Sequence, residues 1–333
     1  MKEKILIVGG NGFVGKHLVK HIIKNKKEGE PVILDVKKEG SSNYTQIWKS
    51  SLDITREDLE GMQYIVYLAA QADVPLAIKS PRYTYQVNVM SALHFLEILR
   101  ECKTIPKKIL YMSSESVYGH VSYEELPIKE NTPTNPVNIY GASKLAAEQL
   151  FRLYAGAYGL PIVIIRSGTV YGEGMRRNQV VSIFLKQALL NEPITIEGDG
   201  SKKSRDLNYV ANLVDGIMKA LYNGRNGSIY NIASGTETFL EQLAKVIKIV
   251  TMSKSDIITK EERVGESGLR LVLDITKAKN ELGYEPKVNL VDGLMLTARD
   301  ILDELHAKGL ISDEEYKMKL ELWNQQKNVN LLD

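Results

Sequence analysis

Five short runs rich in β-branched and aliphatic residues recur along the first half of the chain: KILIVGG (4–10), PVILDV (31–36), YIVYLAA (64–70), KKILYMSS (107–114) and PIVIIRS (161–167). Between them, apolar residues fall at helical spacing, as with Leu93, Leu96 and Leu99 or Leu145, Leu150 and Leu153. Brief apolar runs alternating with helical segments are the pattern of a parallel sheet buried on both faces by its crossover helices. The chain therefore reads as α/β, with a doubly wound parallel sheet. At 333 residues it exceeds the size at which a single core usually stops growing, so a second, smaller lobe is expected.

After about residue 170 the rhythm loosens. A glycine-rich and charged loop, YGEGMRRNQ, opens a helix near 179–190. A short strand in PITIEGDG, a helix near 209–222 and a strand in SIYNIAS follow. Two or three further helices close the chain, the last a charged amphipathic one near 312–328 that reads as solvated.

The first apolar run passes directly into IVGGNGFVGKHLVKHII, with Gly9, Gly12 and Gly15 ahead of a helical pattern; Gly10, Gly12 and Gly15 fit the same spacing. Strand, glycine turn and helix in that order let backbone N–H groups approach a pyrophosphate at the positive end of the helix. Asp35, at the end of the second run, is placed to accept hydrogen bonds from both ribose hydroxyls and would repel a 2′-phosphate. A Rossmann domain that binds NAD rather than NADP is expected.

The bulk properties narrow the partner. The 43 basic and 41 acidic residues nearly cancel, to +2, which gives no global field toward nucleic acid or anionic lipid. No apolar run reaches the roughly 18 residues of a membrane span, and the first strand-like run is too short for a secretory leader. Cys102 is the single cysteine and five scattered histidines show no paired spacing, so neither an internal disulfide nor a metal site is expected. A cytoplasmic protein with a small-molecule partner fits these properties.

The stretch YGASK sets Tyr140 and Lys144 four residues apart in a helix-favouring segment, on one face. A phenol with a pKa near 10 is about one part in a thousand ionised at neutral pH, so using it as a base costs about 4 kcal/mol. A neighbouring ammonium and an oxidised nicotinamide both favour the phenolate. Ser113 and Ser114 end the fourth of the five runs, at the sheet edge where open α/β folds bind ligands.

With GGNGFVG, DIT (53–55), LAAQADV, SSESVYG, YGASK, RSGTVYG, GDGSKKSRD, YNIASG and DITKAKNELGYEPKV in order from near residue 5 to near 290, the chain resembles the extended short-chain dehydrogenase/reductases. Within these it is similar to the NAD-dependent epimerase/dehydratase family acting on nucleotide sugars. The resemblance implies residues 1–170 as the NAD-binding Rossmann domain, with 205–235 returning to it, and 171–333 as a smaller α/β lobe for a nucleotide-diphosphate sugar. It implies Ser114, Tyr140 and Lys144 as catalytic residues: Ser114 holding the sugar oxygen, Tyr140 taking the hydroxyl proton, Lys144 holding the nicotinamide ribose. Phe13, Val14, Asp53, Ile54, Ala69, Ala70 and Gln71 join the glycines and Asp35 around the cofactor. Arg205 matches the arginine that grips the diphosphate, with Arg270 a candidate for a second contact. Asn88, Thr169 and Asn178 fall where the family meets substrate. Members of the family pair as homodimers through the helices containing 88–100 and 140–156.

Family members share oxidation to a 4-keto sugar and differ afterwards. Dehydratases carry an Asp-Glu pair after the catalytic threonine, where this chain has Glu115 and Ser116; decarboxylases carry a glutamate, and 3,5-epimerases a cysteine, where Ser116 stands. The remaining chemistry is epimerisation at C4, with a single-step 4-dehydrogenase or 4-ketoreductase as runner-up and a non-catalytic NAD-binding sensor the least favoured reading. Two departures from the epimerase pattern stand out: Glu115 replaces a small neutral residue, and Thr169 an asparagine.

Overall fold

The chain begins with the strand β1 (Lys4–Val8), four of whose five residues are fully buried. The computed structural model describes residues 2–25, 28–39, 44–261 and 270–329. Eleven further strands follow: β2 (Glu30–Asp35), β3 (Thr45–Trp48), β4 (Tyr64–Tyr67), β5 (Lys108–Ser114), β6 (Ile162–Ser167), β7 (Thr169–Tyr171), β8 (Ile194–Glu197), β9 (Ser204–Tyr209), β10 (Ile229–Ile232), β11 (Glu237–Phe239) and β12 (Ile257–Lys260). Seven form one parallel sheet in the order β10-β6-β5-β4-β1-β2-β3. The winding reverses between β1 and β4, and a crevice opens there at the strands' carboxyl ends. This is a Rossmann-like, doubly wound sheet.

Alternate residues of each strand feed opposite cores. Ile5 and Ile7 of β1 join a cluster with Leu18 and Ile22 of the helix Phe13–Lys24 and Leu213 and Ile217 of the helix Val210–Asn223. Leu6 and Val8 face the other way, into Phe95 of the helix Ser91–Arg100 and Phe151 of the helix Ile139–Tyr158. Phe151 stacks on Tyr111 of β5 with ring centroids 4.2 Å apart.

A third cluster forms away from the large sheet, around the helices Val180–Leu189, Leu240–Thr251 and Leu290–Ala307. Two small sheets border it: β11-β9-β7, and β8 paired in parallel with β12. The C-terminal helix, Asp313–Val329, differs from the solvated helix expected. Trp323 is buried in this third cluster, and its indole N–H donates to the carbonyl of Val250 at 2.7 Å. Tyr316 and Leu320 of the same helix pack against the cluster beside it, so an otherwise charged helix docks by one apolar face. Among the described residues no helix is long and apolar enough to cross a membrane.

Candidate functional site

Gly9 leaves β1 with φ of +87° and its N–H on the carbonyl of Leu34 at 2.8 Å. A Cβ at Gly9 would stand 2.7 Å from the backbone nitrogen of Ala69, so the turn after β1 lies directly against the turn after β4. At Gly15 a Cβ would meet the carbonyl oxygens of Gly9 and Gly10 at 2.6 Å, which only glycine avoids as the helix folds back over the turn. Gly12 caps that helix without a side-chain hydrogen bond, leaving its first N–H groups for an anion. Asp35 takes the N–H of Asn11 on Oδ2 and that of Lys37 on Oδ1, each at 2.9 Å, which fixes its carboxylate at the mouth of the crevice.

The resulting cleft, of about 460 Å³, is lined by Gly9, Gly12, Asp35, Ala69, Ala70 and Gln71, with Ser50, Ser51 and Leu52 on the far wall. Its glycine floor, open helix end and fixed carboxylate fit a dinucleotide. Besides Gly15, buried beneath the glycine turn, Asp53 and Ile54 of the expected cofactor residues lie outside this lining: Asp53 is exposed, and Ile54 is buried among Leu59, Phe95 and Leu99. Leu52 takes the place they were expected to fill, because the turn before the helix Arg56–Leu59 points Ile54 inward. Asn88 is also buried and faces no cleft; its amide grips Gln71 N–H at 2.7 Å, Gln71 carbonyl at 3.0 Å and Ser143 Oγ at 2.9 Å.

A second cavity, of about 330 Å³, adjoins the first and is walled by Phe13 and Val14 of the glycine-turn helix, Ser114, Glu115 and Ser116 after β5, Tyr140 and Lys144, Thr169, Arg176 and Arg205. The helix carrying Tyr140 starts at Asn138, whose side chain accepts the Gly141 N–H at 2.8 Å. A Cβ on Gly141 would stand 2.4 Å from the Ser116 carbonyl, so this helix end sits flush against the end of β5. Ser114, Tyr140 and Lys144 thereby meet in one chamber.

Their electrostatics differ from the sequence expectation in one respect. Burial raises the pKa of Tyr140, and the hydrogen bond with Ser114 and the charge of Arg176 oppose that rise. Lys144 is almost wholly buried; its Nζ donates to the Met112 carbonyl and lies 4.5 Å from the centroid of the Tyr111 ring. Desolvation pulls its pKa down to about 7, and the carboxylate of Glu148, one helical turn on, pulls the other way. The cation acting on Tyr140 is thus Arg176, from the loop YGEGMRRNQ in which only Asn178 was expected at the site. The Arg-Arg pair in YGEGMRRNQ was the available signal.

Glu148 is itself fully buried. It accepts Arg166 Nε at 3.0 Å, Arg166 Nη2 at 2.6 Å and Ser113 Oγ at 2.7 Å, so Ser113 spends its hydroxyl on the helix although the residue also lines the chamber. Thr169 donates to Glu115 Oε1 at 2.5 Å. Arg205 lines the cavity and donates through Nη1 to the Ser204 carbonyl at 2.8 Å. Arg270 and Asn178 are placed outside it. Arg270 forms a two-pronged pair with Glu237 at 2.6 Å between the rings of Tyr123 and Phe239, and Asn178 is exposed with Nδ2 on Asp73 at 2.6 Å. Each is held by an acidic partner outside the chamber. Among the described residues no group of three His, Cys, Asp or Glu could hold a metal ion.

Residues 5–233 match the model of the NAD dependent epimerase/dehydratase family. The chain is 34% identical over 301 residues to a putative UDP-glucose 4-epimerase of Methanocaldococcus jannaschii, covering 87% of this chain and 95% of that protein. It is 32% identical over 309 residues to UDP-glucuronic acid decarboxylase 5 of Arabidopsis thaliana, covering 89% of each. The crystal structure of UDP-glucose 4-epimerase from Thermotoga maritima with UDP-glucose superimposes with a TM-score of 0.82 at 31% identity, over 91% of this chain and 99% of that one.

Proposed function

The chain belongs to the NAD-dependent epimerase/dehydratase family, and from that premise we propose that it epimerises a UDP-hexose at C4 through a 4-keto sugar. The observation that carries the reading is the meeting of Ser114, Tyr140 and Lys144 in one chamber beside the glycine-floored cleft. Bound NAD supplies the oxidation and re-reduction of C4 and brings a positive charge next to Tyr140. Tyr140 removes the proton of the C4 hydroxyl and later returns it to the C4 oxygen, while Ser114 holds that oxygen by a hydrogen bond. Lys144, anchored on Met112, would hold the nicotinamide ribose, and Arg205 would grip the diphosphate. Gly9, Gly12 and the open helix end take the dinucleotide phosphates, and Asp35 its ribose.

Similarity to a UDP-glucose 4-epimerase in both sequence and structure supports UDP-glucose and UDP-galactose as the pair to test. A decarboxylase is an equally extensive relative. Ser116 lacks the carboxylate that the resemblance assigns to decarboxylases, which favours epimerisation. The working form is proposed to be a cytoplasmic homodimer, with the exposed Met90, Leu153 and Tyr158 covered by a second copy.

The test is incubation of the NAD-loaded protein with UDP-glucose, following the C4 configuration by NMR. Interconversion with UDP-galactose without net NADH is expected. Tyr140→Phe should lower turnover by about 10² to 10⁴ while the protein retains NAD. Keto sugar accompanied by stoichiometric NADH would identify a 4-dehydrogenase instead.

A further inference from the structure

Glu115 follows Ser114 directly at the end of β5 and opens a single helical turn, Glu115–Val117, that turns its side chain into the wall of the second cavity. The residue is only 5% exposed. One carboxyl oxygen, Oε1, accepts from Thr169; the other, Oε2, is shielded from solvent and has no hydrogen-bond partner among the described residues. A buried polar atom left in that state is costly, and a group delivered into the cavity would satisfy it. Glu115 and Thr169 are also the two positions at which the chain departs from the epimerase pattern, and the structure brings them into contact.

We propose that Glu115, seated on Thr169, is a specificity-determining residue that reads the sugar beside the reacting carbon and selects a neutral, hydroxyl-bearing hexose over a hexuronate. The inference rests on the nucleotide-sugar reading above. A protonated carboxyl both donates and accepts, which matches a hydroxyl. The carboxylate of a uronate offers only acceptors, so it can use just the donor half of the protonated Glu115 carboxyl and is repelled once the proton is lost.

Burial holds Glu115 protonated up to about pH 8. The groups facing it pull in both directions: Asp206 of β9 keeps the proton on, whereas Thr169 of β7 and Arg205 of β9 favour its loss. From the helix, Tyr140 feels the Glu115 charge, and Lys144 shares the same cavity. Arg176 also lines the cavity, but its guanidinium is engaged by the Ala72 carbonyl at 2.5 Å and Asp73 at 3.6 Å.

Titration calorimetry of the NAD-loaded protein with UDP-glucose and with UDP-glucuronic acid, at pH 6.5 and pH 9, tests the inference. The preference for UDP-glucose should widen by about tenfold between the two pH values, one decade for the unit of pH above the titration. Glu115→Gln, which cannot ionise, should hold the preference constant with pH. Thr169→Val, lacking the hydrogen bond that favours ionisation, should move the widening to higher pH. A preference equal at both pH values in the unaltered protein, or one that still widens in Glu115→Gln, overturns the inference alone. Failure of both nucleotide sugars to bind at either pH overturns the nucleotide-sugar reading and this inference with it.

Discussion

Glu115 keeps its proton in the folded chain up to about pH 8, against an ordinary value of 4.5. As pH rises from 4.5 the unfolded chain loses this proton first, so folding stability falls by about 1.4 kcal/mol per pH unit until the folded group ionises too. Asp206, raised to about 6 by burial, adds a slope of the same sign between its ordinary 3.8 and that value. Lys144 acts in the opposite sense, since its folded pKa lies below its unfolded one, but its contribution sets in only above about pH 7. Urea unfolding at pH 5 and pH 7 therefore samples the Glu115 slope throughout and the Asp206 slope only up to about pH 6, so the variant is needed to separate them. Glu115→Gln is expected to remove about 2 to 3 kcal/mol of the loss seen between those two pH values. The identity of Glu115 as a departure was legible in the sequence, because a carboxylate stood where a small residue was expected. Its protonation was not, since that depends on β7 and β9 closing over it from 54 and 91 residues further along the chain. That Tyr140 and Lys144 share one helix face was legible from their spacing, and their expected roles from the motifs around them. The Met112 carbonyl that captures Lys144 was not, because only the packing of the helix on β5 brings the two together.

At the scale of elements, the pair Arg166–Glu148 pins the helix Ile139–Tyr158 to β6 with both side chains buried. Glu148→Ala strands a guanidinium in the interior and is expected to cost about 3 to 5 kcal/mol in urea unfolding. The double variant Arg166→Met with Glu148→Leu should recover most of that loss, because replacing a whole buried pair is cheaper than breaking it. The junction between β1 and its helix is equally intolerant. Gly9→Ala combines a left-handed backbone with a collision against Ala69, and the purified variant is expected to carry no NAD by absorbance and chromatography. The long apolar strands and the helix between residues 139 and 158 could be read from the sequence because their burial is continuous. β3, with TQIW at the sheet edge, could not, since an edge strand half open to water carries no apolar run. β7 and β11, of three residues each, are too short to show any period.

Across the whole molecule, β9 links the halves. Asp206 on this strand accepts Ser234 N–H at 2.7 Å, Ser234 Oγ at 2.6 Å, and the Gly235 and Leu273 N–H groups at 3.1 Å, tying the segment after β10 to the segment before the helix Thr276–Leu282. Its neighbour Arg205 lines the second cavity. NAD binds the folded chain only, so at 100 times its dissociation constant it should stabilise the protein by about 2.7 kcal/mol, seen as a rise in Tm by calorimetry. The parallel sheet was readable from the order of runs and helices, whereas the contacts of β9 join residues as distant as Asn208 and Tyr284, 76 positions apart, and leave no local trace. The first turn of the glycine helix offers its backbone to one compartment and sets Phe13 and Val14 into the wall of the other. A partition common to both chambers makes each tenant sensitive to its neighbour, and reciprocity requires the influence to be equal in the two directions. For the proposed pair of ligands, stripping the dinucleotide should therefore change the grip on sugar by the same factor as removing sugar changes the grip on dinucleotide.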